Sequence, residues 1–325
     1  MLSIIIINYK SLKVLPDCLR SIYRQPAGGN FEVIVVDNAS GDNSEAIILK
    51  EFPLVRWLQI DYNSGFARSK NAGIKISNGD TVLLLNSDTV VCDNAINDCY
   101  ELFSSSDYIA CGVQLLNRDG SPQISGNYFM PGSLNNLLPL PVVGTMIKGA
   151  GSLFGVRKPH VPDAHKPVEV DWINGAFLMV KKSVLPKAGL MDEDFFLYAE
   201  EAEWCYRLKK YGRLVIYGQL KVIHLQGQSS KDAFSSQSEG YSNLFDRKGF
   251  QIMLSNFVRI RKQNGLGWFI LQLLTYTVNI LFFFFASLFQ PKRFADFRGY
   301  CRNIFSLWSY AGKIISNRPY FYKVL

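Results

Sequence analysis

The sequence has little charge, widely spaced cysteines and no bias towards a fibrous or disordered composition. Charged side chains make up 19% of the 325 residues and hydrophobic ones 48%, which excludes an intrinsically disordered chain. The six cysteines include no C-x-x-C pair, so we expect neither a zinc site nor a disulfide framework, and a reducing cytoplasm is the simpler environment. Residues 1–7 lack the basic region of a signal peptide, and we expect them to form a buried strand.

Acidic residues are almost missing from the C-terminal part. Residues 251–325 carry ten Lys and Arg side chains against Asp296 alone, whereas residues 1–250 carry 25 basic and 26 acidic side chains. The net charge of +8 therefore lies in a tail of +9. Positive charge beside the most apolar stretch favours a membrane surface over nucleic acid, whose readers usually carry their charge on a folded recognition face.

The tail also contains an uncharged run, Trp268–Phe289. As a helix its 22 residues would extend about 33 Å, comparable to the hydrocarbon thickness of a bilayer. Gln272, Thr275 and Asn279 fall on one stripe, and basic residues flank the run. This pattern fits a helix in the membrane interface, or one packed on another helix, at least as well as a span. An ordinary buried helix stays open.

Short β-branched runs alternate with amphipathic stretches near the N-terminus. Predicted strands are Ser3–Ile7, Glu32–Val36, Val55–Gln59 and Thr81–Leu85, and predicted helices are Leu12–Arg24, Ser44–Phe52, Phe66–Ser77 and Asn94–Ser104. Runs such as 33–36 are apolar throughout, which is typical of strands covered on both faces in a parallel sheet.

The later part of the chain is less regular. The Pro-rich residues 117–167 predict long loops. After it, the pattern predicts a strand at Ala176–Val180 and helices at Lys182–Ala188 and 200–211. It then predicts strands at Leu214–Tyr217 and Lys221–His224 and a helical region at 240–325.

Three polar clusters lie near the early strands: one ends the second strand, one opens a helix and one ends the fourth strand. In an open parallel sheet, ligands bind beyond the carboxyl ends of the strands. Asp37 could accept hydrogen bonds from a base or ribose there, the helix opening at Phe66 offers amide donors to an anion, and Asp88 could hold a divalent cation. Each cluster alone could equally be a turn or a helix cap.

Taken together, these clusters resemble a known family. The motifs are 4–9 (IIIINY), 35–40 (VVDNAS), 63–67 (NSGFA), 71–74 (NAGI) and 84–88 (LLNSD). In this order they resemble the inverting family 2 glycosyltransferases of the GT-A fold, and within them the rhamnosyltransferase-type members that build bacterial surface polysaccharides. The blocks 174–180 (NGAFLMV) and 195–203 (FFLYAEEAE) are similar to the family's acceptor-side strand and acidic motif. The match covers about residues 2–230.

The resemblance implies a fold and a division of the chain. The fold would be a GT-A, Rossmann-like α/β domain, with a mostly parallel sheet flanked by helices and a C-terminal helical, membrane-proximal extension. The domain would comprise residues 1–239, with 1–116 as the nucleotide-sugar half and 117–239 as the acceptor half. Residues 240–325 would form the basic and apolar extension.

The resemblance also implies roles for individual residues. The donor-binding residues would be Asn8, Asp37, Asn38, Gly65, Arg68, Asn71, Asn86 and Asp88. The acceptor-binding residues would be Trp172, Asn174 and Gly175. Mg²⁺ or Mn²⁺ would be held by Asp88 and His224, although a structural role for His224 stays open. The D-x-D metal motif reads Asn86-Ser87-Asp88 here, so one carboxylate is missing and Asn86 is either a neutral ligand or a contact to the sugar.

The acidic cluster at 200–203 aligns with the family's catalytic motif. Glu201 stands in the position of the general base and Glu200 lies beside it. We expect the start of a helix to favour the ionised form of either residue. Glu203 has a simpler explanation, because Arg207 lies four residues later and would form a surface pair with it.

The resulting hypothesis is an inverting glycosyltransferase. It would move a sugar from dTDP-rhamnose or a UDP-hexose to a glycan or lipid-linked oligosaccharide, in the cytoplasm and peripherally associated with the inner face of the cell membrane, with no nucleic-acid partner. A sugar nucleotidylyltransferase is an alternative, but residues 8–12 are not the Gly-rich loop that it would need. A non-catalytic carbohydrate-binding protein of the same fold is another alternative. The missing carboxylate mildly favours it, and the intact acidic cluster together with Asp88 argues against it.

Overall fold

The computed structural model describes residues 1–25, 30–153, 159–161, 163–225, 243–288 and 291–324. They form two compact units. The first comprises Met1–Tyr128, His160–Glu193 and Glu200–Asp232, and the second comprises Phe129–Pro159, Asp194–Ala199 and Ala233–Leu325. The domain boundary expected at residue 239 stays a prediction. The two units do not correspond to one division of the chain at that residue, because residues 129–159 and 194–199 belong to the same unit as the C-terminal residues.

Strands organise the first unit. They are β1 (Leu2–Asn8), β2 (Phe31–Asn38), β3 (Arg56–Ile60), β4 (Thr81–Asn86), β5 (Thr89–Val91), β6 (Ala110–Leu116), β7 (Gly126–Asn127), β8 (His160–Val161), β9 (Pro167–Val170), β10 (Trp172–Ile173), β11 (Phe177–Lys181) and β12 (Leu214–His224). Within the described residues, the main sheet has the order β3-β2-β1-β4-β11-β6-β12-β5, and β9 also pairs with β12. A small second sheet has the order β10-β7-β8.

Helices flank the sheet and form most of the second unit. They are α1 (Leu15–Tyr23), α2 (Ser44–Glu51), α3 (Gly65–Ile76), α4 (Ala95–Ser104), α5 (Val143–Leu153), α6 (Leu185–Ala188), α7 (Glu200–Leu208), α8 (Arg247–Asn264), α9 (Leu266–Leu288) and α10 (Pro291–Ser316). The four early helices and four early strands lie where the sequence predicts them, within a few residues at their ends.

The early strands pair as their apolar runs predict. β1 runs parallel to β2 and β4, and β2 runs parallel to β3. All seven residues of β1 are buried, as expected for a strand covered on both faces. β11 runs antiparallel between β4 and β6 and so joins the two halves of the sheet. The predicted α/β fold, with a mostly parallel sheet, flanking helices and a helical C-terminal region, is confirmed.

Several features differ from the sequence prediction, which also lacks the short strands β5, β9 and β10. The sequence did not predict β6, because Gly112 and Gln114 interrupt the apolar run of this strand. The two strands expected at 214–224 form one strand, β12, with an irregularity between Tyr217 and Lys221. The expectation of loops alone over 117–167 is wrong, since that stretch contains α5, a 3₁₀ segment at Pro131–Leu137 and short strands. Three glycines lower the helix propensity of α5 and obscured it.

Helix α9 in the second unit has two different faces. Gln272, Asn279 and Ser287 are buried, and Tyr276 donates its hydroxyl to Asn136 O over 2.6 Å within the unit. The other face exposes large apolar side chains: Leu266, Ile270, Leu271, Leu274, Val278, Leu281, Phe282, Phe284, Phe285 and Leu288. In the part of the chain that the structure describes, α9 alone is long and apolar enough to cross a membrane, and one third of its most apolar window is buried.

Helix α3 packs closely on the sheet at Gly73. A Cβ added there would lie 2.5 Å from Ile5 Cγ2 and 3.2 Å from Val36 Cγ2. Real Cβ atoms do not approach other atoms so closely, so a side chain would push α3 away from β1 and β2. The glycine of the motif at 71–74 therefore has a packing reason.

We predict that Gly73→Ala lowers the free energy of unfolding by about 1–3 kcal/mol, because a methyl group would overpack this contact. Gly312→Ala is the control, since a Cβ there on α10 meets nothing within 4 Å. The control should be neutral or stabilise by up to about 1 kcal/mol. Urea unfolding of both variants measures the difference, and equal stabilities would contradict the close approach.

Candidate active site

A network of side-chain hydrogen bonds lies at the edge of the sheet where β1 and β2 end. Asn8 and Asp37 are register partners, and Asn8 Nδ2 donates to Asp37 Oδ2 over 2.6 Å. Ser40 N and Gln59 Nε2 both donate to Asp37 Oδ1 over 2.9 Å. The carboxylate is buried and accepts three bonds from the protein, which leaves about one acceptor site for a ligand. The base-binding role of Asp37 stays a prediction.

Asn38 fixes the start of α3. Its Oδ1 accepts bonds from the backbone N and the hydroxyl of Ser64, at 2.8 and 2.9 Å, and its Nδ2 donates to Asn63 Oδ1. Gly65 then begins the helix with φ +77°, a left-handed conformation that favours glycine. Asn38 and Gly65 thus orient the first turn of α3, whose backbone amides are the expected anion donors.

Two predicted donor-binding residues on α3 hold the segment 191–193. Asn71 Nδ2 donates to Met191 O over 2.9 Å, and Asn71 Oδ1 accepts from Met191 N over 3.0 Å. Arg68 Nε donates to Glu193 O over 3.1 Å. These bonds give Arg68 and Asn71 a structural role, and contact with a donor stays a prediction for both.

Lys70 lies between these residues and was missed by the sequence analysis. Its side chain is 3% exposed, and its Nζ lies 5.4 Å from the centre of the Phe66 ring. At Gly175 an added Cβ would lie 3.4 Å from Lys70 Nζ and 3.3 Å from Glu201 Cγ. The bare glycine therefore leaves room for an amine and a carboxylate side by side. A buried lysine is rare without a charged partner, so its burial in the structure marks Lys70 as a site residue.

The two catalytic candidates at the start of α7 differ in environment. Glu200 is 4% exposed, its Oε2 has no hydrogen-bond partner in the described part of the chain, and Glu201 is half-buried. Burial, together with the neighbouring charge of Glu201, raises the pKa of Glu200 to about 8, although Lys70 opposes this shift. The expectation that Glu200 is ionised at neutral pH is therefore wrong, because the loss of hydration outweighs the helix dipole. Glu203 pairs with Arg207 at 2.7 Å, as predicted, but Glu203 is buried, so the expectation of a surface pair is wrong.

The chain turns sharply as it enters α7. Tyr198 and Ala199 both have left-handed backbones, with φ of 70° and 66°. Each such residue costs of the order of 1–3 kcal/mol, and such conformations cluster at functional sites. The geometry is consistent with a functional role for the glutamates that follow.

The predicted acceptor-binding residues lie near β10. Asn174 Nδ2 donates to Ile124 O over 3.1 Å, and its Oδ1 accepts from Ala176 N over 3.0 Å. Trp172 pairs with Asn127 of β7, and its Nε1 is buried without a hydrogen-bond partner among the described residues. Gly175 lies against Lys70 and Glu201, as described above. Contact of these residues with an acceptor stays a prediction.

Asn86, Asp88 and His224 come together where β4 and β12 end. His224 Nε2 lies 3.4 Å from Asp88 Oδ1 and 3.4 Å from Asn86 Nδ2. Asp88 and His224 are both buried, and Asp88 O accepts a bond from Leu225 N over 2.8 Å. The predicted metal-binding residues are thus neighbours, 136 positions apart in the chain.

This arrangement is compatible with a divalent cation. A carboxylate oxygen, an imidazole nitrogen and an amide that could present its oxygen form a donor set that suits Mn²⁺ or Mg²⁺. No group of three or more His, Cys, Asp or Glu side chains that could hold a metal occurs in the described ranges. A cation here would need phosphate oxygens or water to complete its coordination.

A known family model matches about the first half of the chain. Residues 3–155 match the model of glycosyl transferase family 2. The chain is 31% identical to the low-salt glycan biosynthesis hexosyltransferase Agl10 of Haloferax volcanii over 227 residues, which are 68% of this chain and 65% of the relative. It is 24% identical to the dTDP-rhamnosyl transferase RfbF of Shigella flexneri over 205 residues, 62% of each chain. The chain thus spans less than two thirds of the length of these relatives.

Solved structures share the fold. A crystal structure of GalNAc-T7 with UDP, GalNAc and Mn²⁺ matches with a TM-score of 0.52 and 14% identity, over 83% of this chain and 56% of that one. Residues 1–349 of TarS from S. aureus match with a TM-score of 0.51 and 14% identity, over 95% and 91%. At this identity the matches show a common GT-A architecture and nothing finer.

We predict that Glu200 makes the stability of the protein depend on pH. Because its pKa is raised from 4.5 to about 8 in the folded protein, the folded state binds a proton that the unfolded state has lost between these values. The free energy of unfolding should therefore fall as pH rises through this window, relative to a Glu200→Gln variant that cannot titrate there. Denaturant unfolding at several pH values measures both proteins. Parallel curves would contradict the raised pKa.

Proposed function

We propose that the protein is an inverting glycosyltransferase, because residues 3–155 match the model of glycosyl transferase family 2. It transfers a sugar from a nucleoside-diphosphate donor to a glycan or lipid-linked oligosaccharide during surface polysaccharide synthesis. The names of the relatives support this class of reaction, since one is a hexosyltransferase of glycan biosynthesis and another a dTDP-rhamnosyl transferase. They favour dTDP-rhamnose and the UDP-hexoses as the first donors to test.

The proposal rests on the closeness of the candidate cation site to the candidate base. Asn86 N donates to Ala176 O over 3.0 Å, and a Cβ on the adjacent Gly175 would lie 3.3 Å from Glu201 Cγ. On its other side Asn86 lies 3.4 Å from His224. A candidate cation site and a candidate base therefore lie on either side of one strand end. An inverting transfer needs both, one for the leaving diphosphate and one for the acceptor hydroxyl.

Glu201 is the proposed general base. It takes the proton from the acceptor hydroxyl while that oxygen attacks the anomeric carbon, and the bond to the diphosphate breaks with its electron pair on the leaving group. Glu200 keeps its proton at neutral pH, so Glu201 does not share the site with a second negative charge. Lys70 Nζ and Glu201 Cγ both lie beside Gly175, so a cationic side chain is next to the proposed base. A Mg²⁺ or Mn²⁺ ion at Asp88 and His224 would neutralise charge on the diphosphate.

We predict that Glu201→Gln lowers the transfer rate by roughly 10² to 10⁴ while barely changing donor affinity, because it removes only the proton acceptor. Glu200→Gln, the matched control, should retain most of the rate, because an amide resembles the protonated carboxyl. Transfer from dTDP-rhamnose and UDP-hexoses and binding of the same donors are measured for both variants. A dead Glu200→Gln with an active Glu201→Gln would reverse the roles, and two active variants would contradict the proposed mechanism.

The proposal includes association with the inner face of the cell membrane through α9. Its exposed apolar side chains lie along one face, and the opposite face is buried within the second unit. Trp308 of α10 donates Nε1 to Thr277 Oγ1 over 3.0 Å, so an exposed indole adjoins this face. Basic residues surround it in sequence and Asp296 is the sole carboxylate after residue 250, which complements an anionic lipid surface. Buried Gln272 and Asn279 favour a helix lying in the interface over a span.

We predict that Leu274→Glu with Phe285→Glu abolishes flotation with vesicles containing phosphatidylglycerol, because carboxylates on the apolar face oppose insertion. Both side chains are about half exposed, so the fold and donor binding should survive. Leu54→Glu, at an exposed leucine of the first unit, is the matched control and should float like the wild type. Truncation is a poorer test, because Tyr322 near the C-terminus is buried.

Neutral vesicles and high salt should weaken flotation of the wild type, since the basic tail contributes a screened attraction. Alkaline carbonate should release the protein from membranes. Equal flotation of the double variant and the control would contradict docking through α9, and resistance to carbonate would indicate a span.

A further inference from the structure

A buried glutamine, Gln123, lies against the imidazole of His224. Gln123 follows β6 on a turn that folds back on that strand, with Gln123 N donating to Leu115 O over 2.8 Å. β6 is the parallel neighbour of β12, which ends at His224. The two side chains meet with Gln123 Oε1 3.0 Å from His224 Nδ1, and both are more than nine-tenths buried.

The orientation of the Gln123 amide is determined by its other contacts. Nε2 donates to the backbone oxygen of His224 over 2.7 Å and to Asn117 Oδ1 over 2.7 Å. A backbone carbonyl can only accept a hydrogen bond, so the NH₂ end must face it. The oxygen end of the amide therefore faces His224 Nδ1.

This orientation sets the tautomer of His224. Because Gln123 Oε1 can only accept, His224 Nδ1 carries the hydrogen and donates it. In a neutral imidazole the other nitrogen, Nε2, then holds a lone pair. That lone pair points to the side where Asp88 Oδ1 and Asn86 lie at 3.4 Å. Two electron-pair donors, Nε2 and a carboxylate oxygen, thus face one another.

We propose that Gln123 is a positioning residue that holds His224 in the Nδ1–H tautomer, so that Nε2 is ready to bind a divalent cation together with Asp88. Metal-binding histidines generally donate their second ring nitrogen to such an acceptor, which orients the ring. With one imidazole and one carboxylate, and Asn86 in place of a second carboxylate, the site favours Mn²⁺ over Mg²⁺. The inference deepens the proposed function. Only the role of the cation in transfer rests on that function, whereas the tautomer and the cation binding do not.

The first test needs no variant. Long-range ¹H–¹⁵N spectra of ¹⁵N-histidine-labelled full-length protein at about pH 8, where an ordinary imidazole is neutral, distinguish the two tautomers. The protein has only three histidines, and a His224→Ala variant assigns the signal. We expect the Nδ1–H form for His224. An Nε2–H form overturns the proposal outright.

The second test measures Mn²⁺ binding by the electron paramagnetic resonance signal of the free ion, for Mn²⁺ alone and with UDP. Gln123→Met keeps the bulk of the side chain but removes the acceptor, and should weaken Mn²⁺ binding by about 10- to 100-fold. Gln114→Met is the matched control. Gln114 is also buried. Its Nε2 donates hydrogen bonds to Leu115 O and Gln123 O, and its Oε1 accepts one from Ala164 N. The control should keep the tautomer and the affinity.

A double-mutant cycle separates positioning from a general effect on the fold. If Gln123 acts through the imidazole, Gln123→Met should cause no further loss of Mn²⁺ affinity in the His224→Ala background. An equal loss in both backgrounds, an unchanged affinity of Gln123→Met, or no Mn²⁺ binding by the wild type under either condition overturns the proposal. If the tautomer and the cycle behave as expected but no nucleotide sugar supports transfer, the inference stands and the proposed function fails.

Discussion

The parallel register of β1 with β2 and β4 is the constraint on which the candidate site depends. It ends three strands at one edge, and it places Asn8 opposite Asp37 and Ile7 opposite Asn86. A slip of one residue would separate Asn8 from Asp37 and turn each buried side chain of β1 to the other face of the sheet. All of β1 is buried, so apolar packing resists such a slip. Burial in the middle of the sheet thus sets the polar geometry at its end.

The antiparallel strand β11 brings the acidic cluster to the same edge. Its approach places Ala176 O within 3.0 Å of Asn86 N, and the bare backbone of Gly175 leaves room for Lys70 and Glu201. The charges there balance locally. One glutamate is kept neutral by burial and by its neighbour's charge, and the other adjoins an amine, so the cluster carries one base rather than two repelling carboxylates.

The second unit reverses the usual distribution of side chains on a helix. In α9 the amide side chains of Gln272 and Asn279 are buried, and large apolar side chains are exposed. Water does not favour such a surface, whereas the boundary between lipid headgroups and acyl chains does. The structure divides the polar stripe seen in the sequence. Gln272 and Asn279 are buried within the unit, where Gln272 donates to Gly132 O, whereas Thr275 donates to Leu271 O of its own helix.

The sequence by itself determined the early strands and helices, because their apolar periodicity is local and strong, and its ordered motifs resemble the family whose model residues 3–155 match. It also placed Asp88, His224 and Glu201 among the candidates. Only the tertiary structure decided the environment of each side chain. Glu200 looked ionised at a helix start, yet burial raises its pKa, and burial is a sum over distant residues. Lys70 and Gln123 were invisible as site residues, because their roles arise from neighbours about 100 positions away in the chain, which only the tertiary structure brings together.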